Sequence, residues 1–105
     1  MATANAFDSA FFEWNRKPIA FVGYGGSGGV RAVEHLRGVA FELQMAPVKH
    51  EVNIAREACL GVLQGKSLSD FDYLVQARDA MFDNLVWWGR ALKNARADAV
   101  SSKAA

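Results

Sequence analysis

The chain has 105 residues and a net charge of +1, and it is 51% hydrophobic and 22% charged. These values indicate one globular domain without the basic excess that attracts nucleic acid or an anionic membrane, and no apolar run approaches the roughly 20 residues of a membrane-spanning helix. Cys59 is the single cysteine, which excludes an intramolecular disulfide, and because no signal peptide is recognisable the expected compartment is the cytoplasm.

The first residues predict the end of an amphipathic helix over residues 6–15. Its apolar side chains recur at helical spacing and form one stripe: Phe7, Ala10, Phe11 and Trp14. Pro18 disfavours helical geometry at Lys17, so the helix is expected to stop before it.

A glycine-rich turn between an apolar strand and an amphipathic helix is the most informative feature of the chain. The predicted strand Ile19–Gly23 is made of apolar and small residues, which is typical of a strand covered on both faces in a parallel sheet. The turn Tyr24–Gly29 follows it directly. Glycine allows positive φ and the close approach of a ligand, and the next helix presents its first amide groups to this turn, which favours an anion.

A second helix is predicted from Val30 to about Met45, with Pro47 ending it. Its apolar face is periodic: Val33, Leu36, Ala40 and Leu43. Gly38 lies in the middle, where glycine costs about 1 kcal/mol relative to alanine. Close packing of Gly38 against a strand or a neighbouring subunit is therefore expected.

A second strand is predicted from Val48 to Ile54. Apolar and polar residues alternate along it, so one face is expected to be buried and the other polar, and the strand is less buried than the first. Residues 55–69 show no clear period and are predicted to form a loop.

The last helix is predicted from about Ser69 to about Ala97, with Ser69 and Asp72 forming a capping box. Its apolar stripe is long: Phe71, Leu74, Val75, Met81, Phe82, Leu85, Trp88 and Leu92. Trp87 and Trp88 are adjacent and cannot both face one core, so one is expected inside and the other at a rim. Residues 98–105 are predicted to be a frayed tail.

The alternation of helices and strands predicts an α/β protein with a parallel sheet between layers of helices. Two strands are too few for a complete sheet, because a central strand such as Ile19–Gly23 needs a neighbour on each edge. The chain is therefore interpreted as the second half of a larger α/β domain, that is, a partial three-layer fold with two parallel strands and three helices.

Several linked motifs occur in a fixed order over residues 4–54. They are Asn5–Asp8, Glu13–Pro18, Ile19–Gly25, Gly28–Arg37 and Glu42–Met45. Together they resemble the NAD(P)H-dependent FMN reductase family, whose fold is flavodoxin-like, and Trp87–Leu92 in the last helix resembles it more loosely. The resemblance implies that residues 1–105 are the C-terminal portion of such a domain and that its first three strands are absent.

The same resemblance implies FMN and NAD(P)H as cofactors. It places the glycine-rich turn along the flavin ring, with these contact residues: Tyr24, Gly25, Gly26, Ser27, Gly28 and Gly29. The phosphate-binding loop of the family is absent from this chain, so the portion present is expected to be inactive alone. Hydride transfer needs proximity and orientation more than a proton donor, and no catalytic side chain is predicted.

Three other features of the sequence could bind a nucleotide or an anion. Gly23, Gly25 and Gly28 also fit a dinucleotide fingerprint, but the acidic residue that it requires at the end of the next strand is missing. Gly61–Ser67 is one residue short of a Walker loop and is interpreted as a surface turn. Arg31 is open to either an anion or a structural ion pair.

No metal site is predicted, because His35 and His50 have no ligand pattern around them, and Cys59 lies in no catalytic constellation. For partners, the chain is expected to form a homo-oligomer or to bind a chain that completes its sheet, and to bind neither nucleic acid nor a membrane. The alternative function is a non-enzymatic oligomerising or interaction module derived from the same fold.

Overall fold

The computed structural model describes residues 11–104, with side chains described for residues 12–100. Helix α1 is described over Phe11–Trp14 and therefore agrees with the C-terminal end of the first predicted helix. Phe7 and Ala10, on the predicted stripe of that helix, lie outside the described residues. Arg16 has a positive φ of 61°, and its amide donates to the Gln44 carbonyl at 2.9 Å, which fixes the turn after α1.

Four short strands stand where the sequence predicts two. The first predicted strand is divided into β1 (Pro18–Ile19) and β2 (Val22–Tyr24). Strand β3 (Ala46–Pro47) lies before the predicted second strand, of which only β4 (Val52–Ile54) forms. Strand β1 pairs with β3 and β2 pairs with β4, both in parallel, so the predicted parallel sheet is confirmed.

A bulge in the second strand explains the division. Ile19 pairs with Pro47, and Val22 pairs with Val52, so the second strand has two more residues than the first between the two paired segments. The ladder resumes where the Val52 amide donates to the Phe21 carbonyl at 3.1 Å. The predicted continuous strand from Val48 to Ile54 is therefore wrong in its first half, because extra residues leave the ladder locally unpaired.

Helix α2 (Val30–Glu42) begins where the sequence predicts and ends earlier than predicted. Gln44 adopts a left-handed conformation with φ of 56°, which turns the chain into β3 before Pro47 is reached. Gly38 is exposed, and a Cβ built on it would meet nothing within 4 Å. The expected close packing of Gly38 against a strand is therefore wrong.

The segment predicted as a loop contains a helix, α3 (Arg56–Leu63). Gly61 lies inside α3, where its missing side chain leaves room for Phe71: a Cβ at Gly61 would lie 2.6 Å from the Phe71 Cζ atom. Gly61 is thus the contact point between α3 and Phe71, the residue that directly precedes the last helix.

The last helix, α4, spans Asp72–Ala104, so it continues past the predicted end near Ala97. A short 3₁₀ helix, Leu68–Asp70, precedes it and carries a capping box made by Ser67 and Asp70. The predicted box of Ser69 and Asp72 is therefore wrong by two residues. Fraying of residues 98–105 stays a prediction, and Ala105 lies outside the described residues.

The capping box before α4 depends on two hydrogen bonds of Ser67. The Ser67 amide donates to the Asp70 Oδ2 atom at 2.9 Å, and the Ser67 hydroxyl accepts from the Ser69 amide at 3.4 Å. We expect Ser67→Ala to lower the free energy of unfolding by about 1 kcal/mol, because the capping hydroxyl is lost. Urea unfolding would measure it, and Ser69→Ala is the matched control with a smaller expected loss. A larger loss for Ser69→Ala would contradict the observed cap.

Two apolar clusters lie on opposite faces of the strands and give the fold three layers. One cluster is made with α2: Phe21, Val33, Ala40, Leu43 and Met45. The other is made with α3 and α4: Val52, Ala58, Leu74 and Met81. The α/β class and the partial flavodoxin-like architecture are therefore confirmed, with one helix more than predicted.

The tryptophan pair of α4 departs from expectation. Trp87 is 64% exposed and Trp88 is 41% exposed, with their ring centroids 5.2 Å apart in an edge-to-face arrangement. The prediction that one of them packs inside is therefore wrong, although the helix still lies against β1 here, where a Cβ at Gly89 would be 3.9 Å from the Pro18 Cγ atom. Within residues 11–104, no helix combines the length and the apolar character that crossing a membrane requires.

Candidate functional site

The glycine-rich turn Tyr24–Gly29 lies at the C-terminal edge of the parallel strands. It leaves β2 and enters α2, and the Gly25 amide donates to the Ile54 carbonyl at 3.2 Å, which joins the turn to the end of β4. In open α/β sheets, ligands bind at this edge, outside the carboxyl ends of the strands. The structure therefore brings the predicted site residues together at the edge where a ligand is expected.

The glycines of the turn divide into two groups. A Cβ at Gly28 would lie 2.9 Å from the Asn53 Cβ atom, and a Cβ at Gly29 would lie 2.8 Å from the Tyr24 amide nitrogen, so both are needed for packing. Gly25 and Gly26 face open space, with nothing within 4 Å of a built Cβ. Only this second pair leaves bare backbone accessible to a ligand.

Two amide groups of the turn donate within the protein. The Gly25 amide is used by Ile54, and the Gly28 amide donates to the Gly25 carbonyl at 3.2 Å. The amides of Gly26 and Ser27 have no acceptor among the described residues. These two exposed donors can hydrogen-bond the carbonyl oxygens of a flat ring.

The Tyr24 side chain lies at the same edge and is 76% exposed. It has the amphipathic character that suits contact with an aromatic ligand. The turn thus presents a shallow surface made by consecutive residues: an exposed tyrosine, two unpaired amides and two open glycines.

A polar network beneath the turn was missed by the sequence analysis. With its amide oriented to satisfy its neighbours, Asn53 donates to the Gly28 carbonyl at 3.0 Å and to the Glu51 Oε2 atom at 3.0 Å. Glu51 in turn pairs with Arg37 at 3.1 Å. The alternation of polar residues along the second strand was the available signal, since it placed Glu51 and Asn53 on one face.

Arg37 connects this network to the bulge. Its guanidinium donates to the Val48 carbonyl at 2.8 Å and to the Lys49 carbonyl at 3.3 Å, and it lies 5.3 Å from the centroid of the Phe21 ring. These carbonyls lie in the segment where the strand ladder is interrupted, so the guanidinium takes over as their donor. One side chain of α2 thus contacts the bulge directly and is linked to the turn through Glu51 and Asn53.

Two helices begin at this edge of the sheet, because α2 follows β2 and α3 follows β4. Each carries an arginine at its start: Arg31 in the first turn of α2 and Arg56 as the first residue of α3. Both side chains are exposed, and neither forms an ion pair among the described residues. The structural ion pair considered for Arg31 is not observed in the described part of the chain, and both cations can meet a diffusing anion.

The rival phosphate site is part of a helix end. Gly61 lies within α3, and Gly65, with φ of 93°, follows the helix, where the Lys66 amide donates to the Gly61 carbonyl at 2.9 Å. This is a helix C-terminal turn and not a strand-to-helix loop, so it lacks the nest of amides that holds a phosphate. The surface-turn interpretation agrees with this geometry.

Cys59 lies on α3 and not in a loop, and its thiol lies 3.5 Å from the Ile54 carbonyl. His35 and His50 are exposed. Among the described residues, no group of three or more histidine, cysteine or acidic side chains could hold a metal ion.

The dinucleotide interpretation is weakened by the position of Glu51. The fingerprint requires a free carboxylate at the end of the strand after the turn. Glu51 lies before β4 and is engaged by Arg37, and β4 itself ends in Ile54. Glu42 lies at the far end of α2.

An apolar groove of about 220 Å³ opens on the α4 side of the strands. Val22 lines it and is 56% exposed, although the sequence predicts a strand covered on both faces. Helix α4 contributes Val75 and Phe82 to the opposite wall. Part of the first strand is thus apolar and uncovered in the described chain.

The family model described as NADPH-dependent FMN reductase matches residues 2–58, which include the glycine-rich turn and the Arg37–Glu51–Asn53 network. An NAD(P)H-dependent FMN reductase of Schizosaccharomyces pombe is 36% identical over 55 residues, a match that covers 50% of this chain and 28% of that protein. No solved structure gives a significant match.

Proposed function

The chain belongs to the NADPH-dependent FMN reductase family, and we propose that its turn Tyr24–Gly29 forms one wall of the FMN site of an NAD(P)H-dependent oxidoreductase. The observation that carries the proposal is the position of this turn: it falls within the matched residues and lies at the open C-terminal edge of the parallel strands. FMN, when bound, supplies the hydride chemistry, and the protein contributes binding and orientation.

The residues of the turn fit a flavin ring in two respects. Gly25 and Gly26 leave a bare surface on which a flat ring can lie, and the Gly26 and Ser27 amides can donate to its carbonyl oxygens. Tyr24 can lie against the ring or border it. Gly28 and Gly29 serve the site indirectly, because their packing against Asn53 and Tyr24 fixes the shape of the turn.

The two arginines at the starts of α2 and α3 suit the binding of NAD(P)H, the second substrate. Arg31 and Arg56 are exposed at the same edge of the sheet, where they can attract the phosphates of NAD(P)H. The matched part is 28% of the yeast relative, so the remaining contacts to FMN are proposed to come from elements outside it. Turnover by the isolated chain is therefore expected to be low. The proposal includes a cytoplasmic location, supported by the lone Cys59.

Titration of FMN with the isolated chain tests the proposal through quenching of flavin fluorescence. We expect weak but saturable quenching, and we expect Gly26→Leu to weaken FMN binding by roughly tenfold, or about 1.4 kcal/mol, because its side chain fills the open surface of the turn. Gly38→Leu is the matched control, since Gly38 is also open but lies within α2. NADPH oxidation in the presence of FMN, followed by absorbance, would measure turnover in the same samples.

Equal quenching by the two leucine variants would place FMN elsewhere and would contradict the proposed wall. No quenching by the unaltered chain would favour the second candidate function, a non-enzymatic interaction module. That alternative is supported by Val22, which is exposed on the strand next to the apolar groove. A partner chain that adds a strand beside β2 would cover it.

A further inference from the structure

The peptide bond between Gly28 and Gly29 is held in place by the second strand. Gly28 is fixed at both of its polar groups: its amide donates to the Gly25 carbonyl at 3.2 Å, and its carbonyl accepts from the Asn53 side-chain amide at 3.0 Å. Gly28 and Gly29 have φ of 72° and 71°, and two glycines in succession leave an unrestrained peptide bond free to turn. The hydrogen bond from Asn53 selects one of its orientations.

This orientation determines where the Gly29 amide points. A trans peptide bond is planar, and its C=O and N–H groups point in opposite directions. The described part of the chain contains no cis peptide bond, so the Gly29 N–H points away from Asn53 and from β4. No described residue accepts a hydrogen bond from it. It is therefore a third donor of the turn, besides the amides of Gly26 and Ser27.

We propose that Asn53 is a positioning residue of the flavin site, an inference that rests on the proposed function. By holding the Gly28 carbonyl, Asn53 keeps the Gly29 amide directed at an acceptor oxygen of the ligand on the turn. The same hydrogen bond polarises the peptide group and strengthens its N–H as a donor. Asn53 acts through this peptide bond and not through a contact of its own with the ligand.

An asparagine suits this place because its side chain lies between two acceptors. The Gly28 carbonyl and the Glu51 Oε2 atom each lie 3.0 Å from the Asn53 amide nitrogen. One amide nitrogen carries two N–H donors, whereas a serine hydroxyl carries one donor and an ionised aspartate carries none. Arg37 in turn holds Glu51 at 3.1 Å. Since a Cβ at Gly28 would lie 2.9 Å from the Asn53 Cβ atom, only glycine lets this side chain reach the carbonyl.

Fluorescence titration with FMN and urea unfolding, made on the same variants, separate positioning from stability. We expect Asn53→Ala to weaken FMN binding by about tenfold, because the Gly29 amide loses its fixed direction. Ser67→Ala is the matched control, since it removes a helix cap and leaves the turn unaltered. Its FMN affinity should change by less than about twofold, as for an independent site. An equal loss of affinity in both variants would overturn the positioning role.

Restoration by a proton gives a readout that a purely structural role would not change. In the double substitution of Glu51→Gln with Asn53→Asp, the new carboxyl faces the Gly28 carbonyl, the new amide and the Arg37 guanidinium. As a carboxylate it cannot donate to the Gly28 carbonyl, and after protonation it can. Relative to Glu51→Gln alone, FMN binding should be about tenfold weaker at about pH 8 and should recover towards about pH 4, where aspartate takes up its proton.

NMR spectra of the isotope-labelled chain without FMN test the hydrogen bond itself. The resonances of the Gly28 carbonyl carbon and the Gly29 amide nitrogen should move with pH in the double variant and stay fixed in Asn53→Ala. Resonances that ignore pH in the double variant would overturn the inference. If they respond but the unaltered chain fails to quench FMN fluorescence, the proposed function is overturned, and what stands is that Asn53 directs the Gly29 amide.

Discussion

Replacement of Gly29 by alanine is expected to lower the free energy of unfolding by about 2–5 kcal/mol. Gly29 has φ of 71°, a conformation that costs an L-residue roughly 1–2 kcal/mol. Its Cβ would in addition lie 2.8 Å from the Tyr24 amide nitrogen and 3.0 Å from the Gly23 Cα atom. Both contacts are with backbone, which cannot rotate away, and overpacking of this kind costs about 1–3 kcal/mol.

Gly26→Ala is the matched control for this loss of stability. Gly26 lies in the same turn, but its Cβ would meet nothing within 4 Å and its φ is not in the left-handed region. We expect its free energy of unfolding to change by less than about 0.5 kcal/mol, as for an ordinary surface substitution. Urea unfolding followed by tryptophan fluorescence measures both variants, and equal stability of the two would refute the conformation described for Gly29.

The contrast between Gly26 and Gly29 marks the limit of the sequence prediction for this site. The glycine-rich turn, its strand and its helix are visible in the pattern of residues, because hydrophobic periodicity and glycine content are local properties. Which glycine serves packing and which leaves an open surface depends on how the turn folds back: Gly29 packs against Gly23 and Tyr24, and Gly28 packs against Asn53 of the second strand. That division is fixed only in the folded chain.

The same reason explains the missed helix α3. Its sequence places Gly61 in the middle, and an isolated glycine lowers any helix prediction. The helix forms because Ala58 is buried in the second cluster and because Phe71 occupies the space at Gly61. Both contacts are tertiary, and they override a weak local propensity.

The interruption of the second strand could not be predicted from the sequence either. The alternation from Val48 to Ile54 is real, but parallel register depends on the partner strand and on groups that satisfy the unpaired carbonyls. Arg37 supplies those groups from another element. A side chain that lies on the polar side of a predicted amphipathic helix gives no sign of this role.

Arg37→Ala is therefore expected to be the other strongly destabilising substitution, with a loss of about 2–4 kcal/mol. It removes the donor to the Val48 and Lys49 carbonyls and leaves Glu51 without its cation. A partly buried carbonyl or carboxylate that is left without its partner costs more free energy than the hydrogen bond itself contributed. The bulge and the Asn53 contact to the turn should loosen together.

Two control substitutions test whether the loss of stability is specific to the Arg37 guanidinium. Arg31→Ala, on the same helix but exposed and without an ion pair among the described residues, should change the free energy of unfolding by less than about 0.5 kcal/mol. Arg37→Lys should lose nearly as much as alanine, because an ammonium cannot reproduce the forked donors of a guanidinium.

If Arg37 acts on the turn through Glu51 and Asn53, the effects of Arg37→Ala and Asn53→Ala on urea unfolding should be coupled, with a shortfall from additivity of roughly 0.5–3 kcal/mol. Simple additivity would mean that Arg37 stabilises the bulge alone. In that case the turn owes its shape to Gly28 and Gly29, and the network beneath it is a separate structural element.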